Sequence, residues 1–528
     1  MMNRIKHIFM TAAALAAVSC NLDFDPTWQY SATTFWYSAS NADGGLTACY
    51  LPLRNGSMWG GAALAYEECA TPNAYNYSNS SNWNDLAKGT HTSDGAIFAN
   101  RWTDCYIGIG RCNLLIENIG NNKELTTTEI NRMLGQAKFL RALYYSVLAT
   151  YYYSAPLITD SPDISQTGAG RADRADLIEF IVSELDAAAE LLPRSWTDQN
   201  DLGRATSGAA LALKSRVLLF EASPLCNPDN DIEAWKKAAD AAKAVMDLGI
   251  YSLYPDYSKL FTESAEHSSE YIFNIEAVSS PTGNGHSLDV TMRQYNSAAP
   301  LKNLVDCYRM KDGKTREESR YSASGAYTDL DPRFYATIVY PGSTWMGEVV
   351  KTDNTNTRFT NKQTGFIYKK YTVYTSSAPS SDQLNLKDLC SPVNIMLIRY
   401  ADVLLQYAEA MNESSQMDAS VWNKTVKLIR QRAGFTESSA LDYPGSYEAV
   451  RDAIIYERQI EFAGEGTWYN DMRRLRLCEE LMDGMDICNS EGVVIGTRNF
   501  SAARDYWWPV PANQIELDKN LAPNNPGW

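Results

Sequence analysis

Histidine is almost missing from this chain: four in 528 residues, at 7, 91, 267 and 286. That excludes a histidine-rich metal site, and the lack of HExxH excludes the common zinc-protease arrangement. No CxxC occurs among the ten cysteines, so neither a zinc ribbon nor a thioredoxin-like redox pair has support. No GxSxG nucleophile elbow occurs. Gly44-Gly45 and Gly60-Gly61 lack the following Lys and the glycine spacing of a phosphate cradle. Beyond the first residues no apolar run reaches the roughly 18–20 residues that a spanning helix needs. Positive charge is short as well, with 47 Lys and Arg against 63 Asp and Glu and a net charge of −16. A nucleic-acid partner is therefore not expected, because backbone phosphates require the opposite sign.

What is present begins at the N-terminus. Arg4 and Lys6 precede an apolar run from Ile8 to Val18, and Ala17-Val18-Ser19 leads into Cys20. The run is too short to span a bilayer and has the proportions of a signal-peptide core. A cysteine at the cleavage point resembles a bacterial lipoprotein signal. The expectation is a signal peptide over 1–19 and a mature chain held to a membrane by lipid at Cys20, with more than one acyl chain for stable anchoring. Nine cysteines follow, an odd number that cannot all pair. Cys49–Cys69 and Cys478–Cys488 could close short loops in an exported protein. Cys105 and Cys112 are spaced as buried groups on one helix face.

Residues 21–30 read as a polar tether. Helical periodicity then predicts helices over Met58–Glu68, Ser93–Ile119, from Thr127 or Thr128 to Pro156, Asp173–Leu192, Thr206–Glu221 and Ile232–Leu248. Ser93 or Asp94 is a candidate cap for the second of these. The small residues of the last two, Gly208, Ala209 and Ala212 facing Ala238, Ala239 and Ala242, suit a closely packed tetratricopeptide-like pair. Residues 251–393 change character: short apolar pieces alternate with Gly, Ser, Asn, Thr and Asp, which reads as an irregular insertion with short strands. Helices are predicted again at Ile395–Met411, Val421–Ala433 and Tyr447–Glu461. The tail from Ala503 to Trp528 is rich in Pro and Asn.

Three segments carry a resemblance: LIRYADVLLQYAEAMN at Leu397–Asn412, IIYERQIEFAGEGTWYNDMRR at Ile454–Arg474, and YWWPVPANQIELDKNLAPNNPGW at Tyr506–Trp528. With WTDCYIGIGRCNLLIENI from Trp102 and the lipoprotein-like start, they resemble the SusD/RagB family of Bacteroidetes outer-membrane lipoproteins. The resemblance implies a mainly α fold, an α-α superhelix of tetratricopeptide-like repeats with a loop-rich insertion. It implies one SusD-like domain over 20–528, with 38–250 and 394–528 helical and 251–393 irregular. It also implies a non-catalytic surface protein that passes an oligosaccharide to a SusC-like TonB-dependent transporter. A peptide or glycopeptide ligand, an exported glycosidase and a scaffold lipoprotein remain as alternatives. No cofactor is implied. Asp, Asn and backbone oxygens could hold a structural Ca²⁺, without any EF-hand pattern to name them.

Arg399, Asp402 and Glu409 are expected on one helix in structural roles, Arg399 and Asp402 meeting three residues apart. Glu457 and Glu461 also share a face. Paired carboxylates can do acid–base work, but Arg458, Arg473 and Arg474 lie near enough in sequence to neutralise them, so a buried ion network is the reading taken. Tyr and Trp are plentiful, 32 and 13, and suit sugar rings because they offer an apolar face and a hydrogen bond together. The polar loop 72–85 gathers Tyr75, Tyr77, Asn82, Trp83, Asn84 and Asp85, so these are candidate ligand contacts. Trp345, in Pro341-Gly342-Ser343-Thr344-Trp345, is a second candidate platform, and Trp196 a third.

Overall fold

In the computed structural model, which describes residues 34–79, 82–278, 284–372, 377–378 and 389–528, helices occupy both ends of the chain and short strands gather between them. The expected signal peptide, Cys20 and the tether lie outside the described residues. The first part carries α1 (Ala39–Tyr50), α2 (Ala63–Glu68), α3 (Trp83–Ala87), α4 (Ala96–Asn118), α5 (Thr127–Tyr152), α6 (Arg174–Leu191), α7 (Ser207–Ala222) and α8 (Ile232–Asp247).

Helix α5 shows how sequence sets these boundaries. Thr126 Oγ1 accepts from the Glu129 N–H at 3.3 Å, and the Glu129 carboxylate accepts from the Thr126 N–H at 2.7 Å. The reciprocal pair satisfies two donors that a helix start leaves open. Helix α4 packs so tightly on α5 that a Cβ on Gly108 would fall 2.2 Å from the Tyr144 ring. Tyr144 donates to the Cys49 carbonyl at 2.7 Å, which ties α1 to the same pair. From α4 to α8 each helix packs on the next, as in stacked helical repeats.

The middle of the chain holds β2 (Tyr271–Ile275), β3 (Ala299–Pro300), α9 (Lys302–Cys307), α10 (Pro332–Thr337), β4 (Ile338–Val339), β5 (Thr344–Trp345), β6 (Glu348–Val349), β7 (Ile367–Tyr368) and β8 (Ile395–Arg399). An early strand, β1 (Ala74–Tyr75), joins them by pairing antiparallel with β3. The last part carries α11 (Tyr400–Glu413), α12 (Ala419–Lys424), α13 (Val426–Ala433), α14 (Tyr447–Glu461) and α15 (Trp468–Arg474). Helix α11 lies against α7, α8 and α14, so the repeat stack runs on through the C-terminal part. This is the mainly α superhelix with an irregular, short-stranded insertion.

Several local expectations are corrected. Ile395–Arg399 is a strand, not the start of a helix. It pairs antiparallel with β2, Tyr271 opposite Arg399 and Ile275 opposite Ile395, and all five residues are buried. An apolar run buried all round has no face for periodicity to detect. The helix expected over Val421–Ala433 breaks at Thr425 (φ −129°, ψ −94°), whose hydroxyl donates back to the Val421 carbonyl at 2.7 Å. The helix expected from Met58 begins only at Ala63, and α4 starts after Gly95 without the expected cap from Ser93 or Asp94. Neither of the two possible disulfides forms: Cys49, Cys69, Cys478 and Cys488 are free thiols.

The tail returns to the first helices. The Trp508 indole lies among the rings of Tyr151 (4.5 Å between centroids), Phe98 (5.1 Å), Tyr152 (5.8 Å) and Trp83 (6.0 Å). Asn525 Nδ2 donates to the Tyr152 carbonyl at 2.9 Å, across 373 residues of sequence, and to the Trp508 carbonyl at 2.7 Å.

Candidate functional site

Two places concentrate chemistry, and the first is buried. Glu457 and Glu461 sit together on α14 with no solvent exposure. Arg333 Nη1 donates to Glu457 at 2.7 Å and to Glu461 at 3.1 Å. Arg430 Nε adds a bond to Glu457 at 2.7 Å, Arg399 Nη1 one to Glu461 at 2.7 Å, and Arg432 a further one to Glu461. Burial alone would raise the Glu461 pKa. The guanidiniums of Arg432, Arg399 and Arg333 reverse this and hold it well below the usual carboxylate range.

The neutralising residues differ from those the sequence suggested. Arg458 and Arg474 serve a neighbouring cluster: Arg458 contacts Asp402 at 3.1 Å and Asp471 at 2.9 Å, and Arg474 contacts Asp471 and Glu409. Arg473 donates to the carbonyls of Tyr506 and Thr150. Arg399 and Asp402 do not meet on a helix face. Arg399 ends β8 and reaches Glu270, Glu461 and Glu465, whereas Asp402 takes Arg216 at 2.8 Å and Arg458. A cavity of about 150 Å³ beside this second cluster is lined by side chains of the same paired groups, among them Arg216, Asp402, Asp471 and Arg474. Carboxylates this enclosed and this fully paired have no route to a scissile bond, so the α14 pair is structural.

The second place is a surface rim. Strands β1 and β3 pair with Ala74 opposite Pro300, and β4 and β7 with Val339 opposite Ile367. Strand β3 lies against β7. Asn296 Nδ2 donates to the Phe366 carbonyl at 3.1 Å, and its Oδ1 accepts from the Gln363 N–H at 3.2 Å. These contacts fix the direction of all four segments. The end of β1, the entry to β3, the entry to β7 and the end of β4 therefore lie at one edge.

Tyrosines populate that edge. Tyr77 is 40% exposed, Tyr295 48% and Tyr335 37%, while Tyr75, Tyr327 and Tyr340 are half-buried. Tyr327 and Tyr340 rings lie 4.9 Å apart, and Tyr335 and Tyr340 rings 6.2 Å. Lys362 Nζ stands 5.8 Å from the Tyr77 ring centre. Lys369 Nζ donates to the Tyr335 carbonyl at 3.3 Å, and partial burial lowers its pKa. Arg316 donates to the carbonyls of Ser324 and Ala326, next to Tyr327, at 3.0 Å each.

The root of the first rim loop is built from buried polar groups. Glu68 accepts from Asn73 Nδ2 at 2.6 Å and from the Gly466 N–H at 3.2 Å. Burial pushes its pKa up to about 7, against the lowering effect of those hydrogen bonds. Arg498, also buried, donates to the carbonyls of Thr71 (3.1 Å) and Ala74 (2.5 Å). Its pKa falls to about 10 through burial. Thus β1 leaves a rigid base before it reaches Tyr75 and Tyr77.

The expected contact residues divide. Tyr75 and Tyr77 are on the rim. Trp83 is not: it opens α3, is 2% exposed and packs on Trp508 and the Arg101 guanidinium. Trp345, 1% exposed, packs on Phe359 at 5.1 Å. In this conformation neither indole shows a face to solvent. Trp196 Nε1 donates to the carbonyls of Arg204 and Ala205, in the α6–α7 connection. Asn82 and Asn79 both donate to Asp85, Asn82 Oδ1 caps the Ala96 N–H, and Asn84 is buried. These polar groups satisfy one another. The sequence reading missed Tyr295, Tyr327, Tyr335, Tyr340 and Lys362. The only available signal was tyrosine recurring through the insertion beside turn residues such as Pro341-Gly342. Among the described residues, no group of three or more His, Cys, Asp or Glu is placed to hold a metal ion.

Comparison with known proteins identifies the family and the fold. The sequence model of the SusD family matches residues 258–528, and one described as starch-binding associating with outer membrane matches residues 55–219. SusD-like protein P2 of Formosa agariphila is 25% identical over 97% of this chain and 98% of its own length. A SusD-like protein of Bacteroides ovatus is 23% identical over 91% of this chain and 84% of its own. The crystal structure of a SusD-like carbohydrate binding protein from Bacteroides fragilis superposes with a TM-score of 0.79 at 27% identity, covering 93% of this chain and 100% of that one.

Proposed function

The chain belongs to the SusD family, and from that premise we propose that its tyrosine rim is the surface on which it captures a glycan. The protein is a non-catalytic binding protein of the outer membrane, exposed at the cell surface, and it works with a SusC-like TonB-dependent transporter. Cys20 carries the lipid anchor in this reading.

The observation that supports the rim is the gathering of six tyrosines from five separate segments at one edge, three of them well exposed. A sugar ring needs an apolar face to lie on and polar groups around it. Tyr77, Tyr295 and Tyr335 supply the faces. Exposed Ser78 and Gln294 and half-buried Gln363 supply hydroxyl and amide partners. The insertion 251–393 contributes four of the tyrosines, and β1 with the loop after it the other two, so recognition is shared between the irregular part and the helical body. The B. fragilis relative is itself a carbohydrate binder, which supports a glycan over a peptide.

The test is a glycan binding screen on the soluble form, followed by Tyr77→Ala and Tyr335→Ala. Each substitution should weaken the bound glycan by about 0.5–1.5 kcal/mol, roughly two- to twelvefold, with the unfolding midpoint unchanged. Full affinity in both variants would move the site elsewhere.

A further inference from the structure

Three cations adjoin the tyrosines of the rim without a carboxylate partner among the described residues. Resting on the rim reading above, we infer that its ligand is an anionic glycan, one bearing uronate carboxylates or sulfate esters, read by Lys362, Lys369 and Arg316. The whole chain has sixteen more acidic than basic side chains at neutral pH. Other cations also lack a carboxylate partner among the described residues, Arg498 for instance, so what sets these three apart is their place beside the rim tyrosines. Among the described residues none of these three forms an ion pair: Lys362 stands over the Tyr77 ring, Lys369 reaches the Tyr335 carbonyl, and Arg316 holds two loop carbonyls beside Tyr327.

The acids of the same region are engaged elsewhere. Asp306 is held by Lys302 at 2.5 Å and Asp329 by Lys311 at 2.7 Å. Glu348 accepts from the Asn356 side chain and the Thr357 N–H. Each of the three cations adjoins a tyrosine of the rim, and none forms an ion pair with these acids or with Glu317 and Glu318, which follow Arg316 in sequence. A neutral glucan would make no use of these three charges. An anionic chain lying along the tyrosines would place its charges beside them, where the half-buried position of Lys369 and Arg316 limits screening.

Isothermal titration with two matched pairs tests this: oligogalacturonate against its methyl ester, and a sulfated galactan oligosaccharide against its desulfated form. At low salt at least one charged member should bind about tenfold tighter than its uncharged partner. The preference should collapse toward 1 M NaCl, where the Debye length is about 3 Å. Lys362→Gln should weaken the charged ligand about three- to fivefold without moving the unfolding midpoint, the scale of one exposed ion pair. Which pair responds tells carboxylate from sulfate. Equal affinity within both pairs, lost in Tyr77→Ala, overturns the charge inference and leaves the rim standing. No binding of any of the four overturns both.

Discussion

At the centre of the molecule Arg333, Arg399, Arg430 and Arg432 each meet carboxylates, and none is more than slightly exposed. At the rim Lys362, Lys369 and Arg316 meet a ring or carbonyls, and no acid among the described residues. The two regions lie close in the chain, since Lys369 is followed by Lys370, which is buried against Glu465 at 2.7 Å. The difference teaches what each kind of charge is for. A buried pair fixes one arrangement of its elements and punishes loss of either partner. A cation left open at the surface costs the fold little and is available to something else.

Removing one central acid should give the largest effect. Glu461→Ala leaves three guanidiniums facing a void and is expected to cost about 3–5 kcal/mol, measured by urea unfolding. A loss below about 1 kcal/mol would mean that the network is not the keystone described. Trp83→Ala sharpens the boundary between core and rim. It should cost about 3–5 kcal/mol through the cavity left against Trp508. Glycan affinity of the folded fraction should stay within about twofold. The reverse outcome, stable protein without binding, would transfer Trp83 to the rim.

A smaller effect separates the regions by pH. Burial would raise the Asp402 pKa, but Arg216 and Arg458 bring it down to about 2, below the ordinary 3.8. The unfolded chain therefore takes up the proton first as pH falls. The stability this carboxylate contributes, about 2 kcal/mol, is complete above about pH 4 and lost as pH falls through 2. Melting temperatures followed from pH 5 to 2 should fall steeply in the wild type and less so in Asp402→Asn. Parallel curves would assign the acid transition to other carboxylates.

How legible this was in the sequence follows the same division. Helices with caps and one apolar face were readable, and α14 falls on the predicted Tyr447–Glu461. Strand β8 was not, because burial on both sides erases the alternation that marks a strand. That Glu457 and Glu461 would be neutralised could be argued from charge alone. Arg333, more than a hundred residues away, could not be named as a partner, since only the fold brings it near. The rim was half legible for a similar reason. Tyr75 and Tyr77 sit in a loop with an evident polar signature. Tyr295, Tyr335 and Tyr340 join them only through strand pairs two residues long. Trp83 misled because a helix of five residues is too short for its period to show.

The return of the tail to α4 and α5 has a consequence for how the chain acquires its shape. Trp508 and Asn525 pack among residues 83, 98, 151 and 152. The first helical hairpin is therefore incomplete while the chain is still emerging, and its final packing waits on a loop closure of hundreds of residues. Contacts that distant form slowly. For a protein that must be threaded through a membrane before it folds, a late-arriving clasp is useful: the segment that locks these helices crosses hundreds of residues after them.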